Sequence, residues 1–130
     1  EKFKNKYNYL DNCKFFGHLE GKSLLDHYRN SDILCSPAIE NESFGIVLIE
    51  AMASKTAVLA SNINGYNEII NNKNGLLFQN KDVNDLINKL TLLIEDDNLR
   101  NNLKIFGYEF SRKYNWKKVS EDILKTYRNL

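Results

Sequence analysis

Two glutamates eight residues apart, Glu42 and Glu50, are the side chains of this sequence best placed to do chemistry together. Both fall in a segment predicted to form a helix, where each residue rises about 1.5 Å, so their carboxylates would be separated by roughly 12 Å along the axis. Carboxylate pairs that hydrolyse glycosidic bonds lie roughly 5 to 9.5 Å apart. The spacing therefore disfavours a hydrolytic pair and suits the two ends of one elongated ligand.

The predicted helix, from residue 42 to about residue 54, is apolar at every position from Ile46 to Ala53 except Glu50. A helix that is apolar all round is expected to be buried on every side. An ionised carboxylate in such a setting is costly unless it is paired or hydrogen-bonded. Glu50 therefore needs a buried protein partner or the hydroxyls of a ligand. A purely structural role, as an internally bonded residue of a connecting helix, stays open.

The start of this helix has the features of an anion site. Ser43 is predicted as the N-cap, and Glu42 is placed near the positive end of the helix dipole. Gly45 weakens the first turn by up to about 1 kcal/mol, which makes sense where a ligand must approach the backbone. First-turn amides bind phosphates. The resulting prediction is a nucleotide-sugar, with the sugar near Glu42, the diphosphate at the amides of Phe44 to Ile46 and the ribose near Glu50.

Short apolar strands that alternate with helices predict an α/β fold in which a parallel sheet is covered by helices on both faces. The three C-terminal helices have apolar residues at helical spacing, so we expect them to pack against the sheet, with Trp116 anchoring the last one. Asp82 is expected to cap one of the helices, and Tyr28 lies on the apolar side of another. Strands are predicted over residues 13–16, 33–36, 57–61 and 76–79, and helices over residues 22–29, 42–54, 67–71, 82–95, 98–113 and 116–129.

The composition of the sequence argues against several classes of protein. The 130 residues have a formal net charge of +1, which argues against a dedicated nucleic-acid binder. No apolar run approaches the roughly 20 residues of a transmembrane helix, and no signal peptide opens the sequence. Cys13 and Cys35 lack metal-site spacing, and we expect both to be reduced core residues. These features predict a cytoplasmic protein with at most peripheral contact to the inner face of a membrane.

Residues 42–53 resemble the E-x7-E motif of the retaining GT-B glycosyltransferases, the large family called glycosyl transferases group 1. The resemblance covers nearly the whole chain from Cys13 onward, and the stretch from Ser36 to Ser61 is similar to the phosphatidylinositol mannosyltransferases. It implies the Rossmann-like C-terminal half of a GT-B fold, truncated at its N-terminus and ending in closing helices. Further segments that match the family in order are residues 32–37, 56–58, 64–70, 74–77, 95–100 and 114–116.

The resemblance also implies roles for individual residues. The donor would be a GDP- or UDP-linked hexose, with mannose as the first choice, and transfer would retain configuration without a metal or another cofactor. The acceptor, a glycan or a lipid, would bind to an N-terminal domain that this chain lacks. The implied catalytic residue is Glu42, at the transferred sugar. The implied donor-binding residues are Ser43, Phe44, Gly45 and Ile46 around the diphosphate, Glu50 at the ribose hydroxyls, and Gly17, His18 and Leu19 beside the base.

Two departures from the family pattern qualify this interpretation. Lys55 stands where the family has glycine, and the Arg–Lys pair that clamps the diphosphate would lie upstream of residue 1. We therefore expect residues 1–130 to form a partial donor-binding domain that is inactive by itself. A dinucleotide-binding domain would need a G-x-G-x-x-G turn, which is not found. A non-catalytic GT-B half-domain serving protein contact and a GT-B sugar-nucleotide epimerase stay open as alternatives.

Overall fold

The computed structural model describes Lys6 and residues 11–128, and these residues form a parallel sheet flanked by helices. The sheet has three strands in the order β1-β2-β3, all parallel, so each strand is joined to the next by a crossover that contains a helix. The predicted fold class is therefore confirmed. The strands are β1 (Ile33–Ser36), β2 (Ala57–Ser61) and β3 (Leu76–Phe78).

Helices occupy most of the remaining described chain. Their order along the sequence follows the prediction, with ends that differ by at most four residues. Asp82 caps the fourth of them as predicted, because its side chain accepts a hydrogen bond from the amide of Asp85 at 3.0 Å. The helices are α1 (Gly21–Arg29), α2 (Ile46–Ala53), α3 (Tyr66–Ile69), α4 (Val83–Glu95), α5 (Asp97–Ser111) and α6 (Trp116–Arg128), with a 3₁₀ turn (Arg112–Tyr114) between α5 and α6.

Strand β2 is the centre of the core, and all five of its residues are buried. Side chains alternate along it, so Val58 and Ala60 face one layer while Ala57 and Leu59 face the other. A central strand of a parallel sheet is buried on both sides in this way. The first layer joins the strand to Leu48, Met52, Tyr66 and Ile69, and the second joins it to Phe78, Leu93 and Leu103.

The strand predicted over residues 13–16 is wrong. Residues 13–17 have no regular secondary structure, and Cys13 and Phe16 are exposed, so Cys13 is not the core residue that was expected. The segment lies outside the three-stranded sheet, and a strand needs a neighbouring backbone to complete its hydrogen bonds. Cys35, in contrast, is half-buried against the second core layer.

The last helix does not pack as predicted. No residue of α6 is buried, and Trp116, the expected anchor, is 84% exposed. The 3₁₀ turn ends in extended backbone at Asn115, which redirects the chain before α6 begins. Helices α4 and α5, in contrast, each contribute a buried leucine to the second core layer. Within the described range, no helix combines the length and the apolar character needed to cross a membrane.

Lys55, two residues after the end of helix α2, adopts the left-handed conformation with φ of 62°. This conformation costs an ordinary L-residue roughly 1–2 kcal/mol, whereas glycine adopts it freely. A cation–π contact, with the Lys55 ammonium 5.0 Å from the centre of the Tyr108 ring, offsets part of that cost. We expect Lys55→Gly to raise the free energy of unfolding by about 0.5–1 kcal/mol, measured by urea denaturation of the full-length protein.

The matched control for this prediction is Lys73→Gly. Lys73 is also exposed, but it is not among the residues with positive φ, so glycine there adds only backbone freedom to the unfolded chain. It should lower stability. An equal loss of stability in both variants would contradict the strain assigned to Lys55.

Candidate functional site

The candidate site lies where loops follow the carboxyl ends of the strands. Residues 37–45 follow β1, residues 62–65 follow β2, and residues 79–82 follow β3. Ligands of open α/β sheets bind at this edge. Glu42 belongs to the first loop, and helix α2 begins at the end of that loop, so both lie at the edge where a ligand is expected.

Gly45 is the residue that starts helix α2. It adopts the left-handed conformation with φ of 76°, and its amide donates a hydrogen bond of 3.0 Å to Oε1 of Glu42. The predicted N-cap, Ser43, is therefore wrong. The chain turns sharply at Gly45, so the helix begins three residues later than Ser43, and the carboxylate of Glu42 supplies an acceptor to the turn. Ser43 itself is exposed.

Glu42 is held at both of its carboxylate oxygens. The second oxygen, Oε2, accepts a hydrogen bond of 3.4 Å from the hydroxyl of Tyr66, and that hydroxyl lies 2.7 Å from the hydroxyl of Ser36 in β1. Tyr66 is buried and Glu42 is half-buried, so the carboxylate is oriented by the folded core. The negative charge at this position is therefore fixed in space.

The first amides of helix α2 are open. Among the residues that the structure describes, the amides of Phe44, Ile46 and Val47 donate no hydrogen bond. Unpaired amides at the positive end of a helix attract an anion. Two of the three amides predicted to bind a diphosphate are thus available, whereas the third, that of Gly45, is occupied by Glu42.

Helix α2 is not buried on every side, as its composition predicted. Leu48, Ala51 and Met52 are fully buried, but Ile46 is 61% exposed and Glu50 is exposed beside it. The prediction is wrong because apolar composition cannot distinguish a side that packs in the core from one that lines a cleft. Glu50 therefore lies on the exposed side of the helix.

Glu50 has a protein partner that the sequence analysis missed. The hydroxyl of Tyr28 in α1 donates a hydrogen bond of 3.2 Å to Oε2 of Glu50. Burial, with a smaller contribution from the nearby carboxylate, raises the pKa of Tyr28 to about 12, so the phenol stays a neutral donor at physiological pH. Both residues line a cavity of about 380 Å³ between α1 and α2.

The three residues predicted to lie beside a base are not part of that cavity. Gly17 and His18 are exposed, Leu19 is half-buried, and the lining of the cavity starts only at Gly21. The imidazole of His18 lies 3.8 Å from the carboxylate of Glu20, and both side chains are 87% exposed. The segment is close to the cavity in sequence, and its contact with a base stays a prediction.

Tyr28 and Tyr66 are residues of the candidate site that the sequence analysis did not assign to it. The sequence places Tyr28 on the apolar side of its helix and Tyr66 in the segment over residues 64–70. A half-buried or buried tyrosine still has a hydroxyl that needs a hydrogen-bond partner. The signal in the sequence was that Glu42 and Glu50 each needed a hydrogen-bond donor. The structure pairs Tyr28 with Glu50 and Tyr66 with Glu42.

Within Lys6 and residues 11–128, no three residues of the types His, Cys, Asp and Glu lie together in a way that could hold a metal ion.

Sequence comparisons identify relatives of the chain. The family described as glycosyl transferases group 1 matches residues 1–110. A phosphatidyl-myo-inositol mannosyltransferase of Mycobacterium leprae is 32% identical over 122 residues, which are 93% of this chain and 33% of that protein. A glycosyltransferase of Methanocaldococcus jannaschii is 34% identical over 124 residues, which are 95% of this chain and 35% of that protein. The chain thus spans about a third of the length of the curated relatives it matches.

Structural comparisons agree with this result. The sucrose-phosphate synthase of Thermosynechococcus elongatus superposes with a TM-score of 0.86 at 29% identity, over 98% of this chain and 32% of that one. Anabaena HepE superposes with a TM-score of 0.85 at 21% identity, over 99% of this chain and 35% of that one, which supports the fold alone. The sheet and its helices match the C-terminal domain of GT-B glycosyltransferases. The chain belongs to the glycosyl transferases group 1 family.

Proposed function

We propose that this chain is the donor-binding half of a retaining glycosyltransferase, which transfers a hexose from a nucleotide-sugar to a glycan or lipid acceptor. The observation that carries the proposal is the arrangement along the exposed side of α2. The half-buried, oriented carboxylate of Glu42 precedes the helix, and open amides at Ile46 and Val47 begin it. The exposed carboxylate of Glu50 follows one turn later. These groups suit, in turn, a sugar, a diphosphate and a ribose.

Glu50 supports the nucleoside end of this proposal. A carboxylate has about four acceptor positions, and the hydrogen bond from Tyr28 occupies only one of them. The remaining positions suit the two hydroxyls of a ribose, and the tyrosine holds the carboxylate in place for them. The base would lie towards Gly17, His18 and Leu19, which precede the first lining residue of the adjoining cavity.

Glu42 supports the sugar end. A retaining transfer without a covalent intermediate passes through an oxocarbenium-like state, in which positive charge develops on the sugar ring. A fixed carboxylate stabilises that charge without having to reorganise during the reaction. Glu42 is anchored by Gly45 and Tyr66, so it would act electrostatically and as a hydrogen-bond acceptor. The open amides would offset the diphosphate charge as it leaves, in a reaction that needs no bound metal.

The names of the relatives limit the choice of donor and acceptor for this proposal. The M. leprae protein is named for the transfer of mannose to phosphatidyl-myo-inositol, so GDP-mannose is the first donor that we propose for this protein. UDP-sugars are the second, because the Anabaena HepE structure that superposes on this chain is a complex with UDP-glucose. We propose that the acceptor binds the rest of the full-length protein, which works in the cytoplasm, in contact with the membrane surface, on a cell-envelope glycan or glycolipid.

Replacing Glu50 with glutamine tests the nucleotide site. We expect Glu50→Gln to weaken binding of the preferred nucleoside diphosphate at least about ten-fold, because hydrogen bonds to a charged acceptor contribute roughly 1.5–3 kcal/mol. The measurement is calorimetric titration of the full-length protein with GDP, UDP, GDP-mannose and UDP-glucose. Glu95→Gln, at an exposed acid near the end of α4, is the matched control and should bind as the wild type does.

Two results would contradict the proposal at different levels. Loss of stability in Glu50→Gln with unchanged nucleotide affinity would show that Glu50 has a structural role only. Failure of the wild-type protein to bind any of the four compounds would contradict the donor-binding function itself and favour a half-domain kept for protein contact.

A further inference from the structure

Glu50 is an exposed glutamate whose carboxylate is held by a single contact. The hydroxyl of Tyr28 donates to its Oε2 atom at 3.2 Å, and within residues 11–128 this carboxylate forms no ion pair and accepts no other hydrogen bond. An exposed glutamate without such a contact moves among its rotamers, and a ligand that binds it must first order it. The orientation of Glu50 therefore depends on one tyrosine hydroxyl.

Tyr28 is held in place by its ring and by its backbone. The ring packs against the first core layer, and the backbone carbonyl accepts a hydrogen bond of 2.6 Å from the hydroxyl of Thr56. Thr56 is 1% exposed, and its amide donates at 3.0 Å to the carbonyl of Ala51 in α2. One buried residue is therefore bonded to both helices that carry the pair. The folded core thus fixes the position of Tyr28 relative to Glu50.

The pair of Tyr28 and Glu50 offers a ligand acceptors and no donor. A phenol has one proton, and the hydroxyl of Tyr28 directs it to the carboxylate of Glu50. Because burial raises the pKa of Tyr28 to about 12, that proton stays in place at physiological pH. The Oε1 atom and the free acceptor positions of Oε2 are left for the ligand. They suit a ligand that donates from two adjacent hydroxyl groups, as a ribose does.

We propose that Tyr28 makes the nucleotide site select ribonucleotides over deoxyribonucleotides, as a positioning residue that acts through Glu50. Tyr28 can do this only if a ribose lies at Glu50, so the inference rests on the donor-binding function proposed above. A carboxylate held in one orientation accepts from the 2′- and the 3′-hydroxyl without an ordering cost. A ligand that lacks either hydroxyl leaves one of these oriented acceptors unused, which is how a site rejects an analogue without the group.

Selectivity is measured by calorimetric titration of the full-length protein with GDP, 2′-deoxy-GDP and 3′-deoxy-GDP, and with the corresponding uridine nucleotides. We expect the wild type to bind its preferred ribonucleotide at least about ten-fold more tightly than either deoxy analogue, the effect of one hydrogen bond to a charged acceptor. In Tyr28→Phe this ratio should fall to about three-fold or less, because the ligand must then order the carboxylate. The deoxy analogues, which gain least from the oriented carboxylate, should bind the variant within about two-fold of the wild type.

Tyr108→Phe is the matched control. Tyr108 is a half-buried tyrosine of α5 that does not line the cavity between α1 and α2, and its hydroxyl has no hydrogen-bond partner in the part of the chain that the structure describes. This variant should keep the affinity and the selectivity of the wild type. Phenylalanine keeps the aromatic ring at both positions, so both variants are expected to fold.

A double-mutant cycle tests whether Tyr28 acts through Glu50. Alanine at position 50 removes the carboxylate that Tyr28 orients, so Tyr28→Phe should then have no further effect on the affinity for the ribonucleotide. We expect Tyr28→Phe with Glu50→Ala to bind within about two-fold of Glu50→Ala alone, which is the non-additivity of two residues in one contact. Additive losses would show that Tyr28 supports the fold independently of Glu50 and would overturn the positioning role.

The titrations distinguish failure of this inference from failure of the proposed function. Donor binding stands and the role of Tyr28 is overturned if the wild type binds ribonucleotides and deoxyribonucleotides equally. The same holds if Tyr28→Phe keeps the wild-type ratio, or if it weakens all three nucleotides by the same factor, as a purely structural residue would. If the wild type binds none of the nucleotides, the donor-binding function is contradicted, and the selectivity assigned to Tyr28 is contradicted with it.

Discussion

Glu42→Gln is expected to lower kcat for sugar transfer by the full-length protein at least about 100-fold, the size of effect seen when one electrostatic group at a reacting centre is removed. Glutamine keeps the length of the side chain and a carbonyl that can accept the Gly45 amide, so the turn before α2 should survive. What it removes is the negative charge held beside the sugar. Steady-state transfer from the preferred nucleotide-sugar measures the effect.

The affinity for the nucleoside diphosphate distinguishes an electrostatic role of Glu42 in transfer from a purely structural role. Glu42 does not contact the proposed ribose or diphosphate positions, so Glu42→Gln should bind GDP or UDP within about two-fold of the wild type, well under the cost of one lost hydrogen bond. Glu40→Gln is the matched control, because Glu40 is an exposed acid two residues away. Equal losses of kcat in the two variants, or an unaffected Glu42→Gln, would contradict the role of Glu42.

The fold could be predicted from the sequence because the apolar run of its central strand fits only a buried strand. Residues 57–61 form a short apolar run between turn residues, and the structure places a strand there with both faces buried. Local chemistry also decided the cap at Asp82. The strand predicted over residues 13–16 was wrong because, among the described residues, this segment lies outside the three-stranded sheet, and strand pairing is a tertiary property. The predicted packing of helix α6 against the sheet was wrong for the same reason, because amphipathic spacing does not determine which surface a helix covers.

The candidate site was predicted less completely. The two acids and the glycine between them could be identified because an acid in an apolar run and a glycine at a helix start conflict with local preferences. Their orientation could not, because the partners of Glu42 and Glu50 are Tyr66 and Tyr28, each more than 20 positions away in sequence. The left-handed start at Gly45 was equally inaccessible, and it moved the N-cap away from Ser43. The roles of these residues stay predictions.

Gly65→Ala is expected to lower the free energy of unfolding by about 3 kcal/mol, because it adds a steric clash to an unfavourable backbone conformation. Gly65 has φ of 89°, and a Cβ atom there would lie 2.6 Å from the carbonyl oxygen of Glu42. The atoms that the added Cβ would meet belong to the backbone of Glu42 and Ser43, not to a flexible side chain. The clash can therefore be relieved only if the loops after β1 and β2 separate. That separation would displace Glu42. Urea denaturation of the full-length protein measures the stability, and steady-state transfer measures the displacement.

Gly17→Ala isolates the clash from the backbone strain. Gly17 also has a positive φ, of 71°, but a Cβ atom there would meet nothing within 4 Å. It should cost only the left-handed conformation, about 1 kcal/mol. The difference between the two variants therefore measures the contact between Gly65 and the Glu42 backbone. If Gly65→Ala costs no more than Gly17→Ala and retains transfer activity, the two loops are not packed against each other, and the oriented Glu42 on which the proposed transfer depends loses its structural basis.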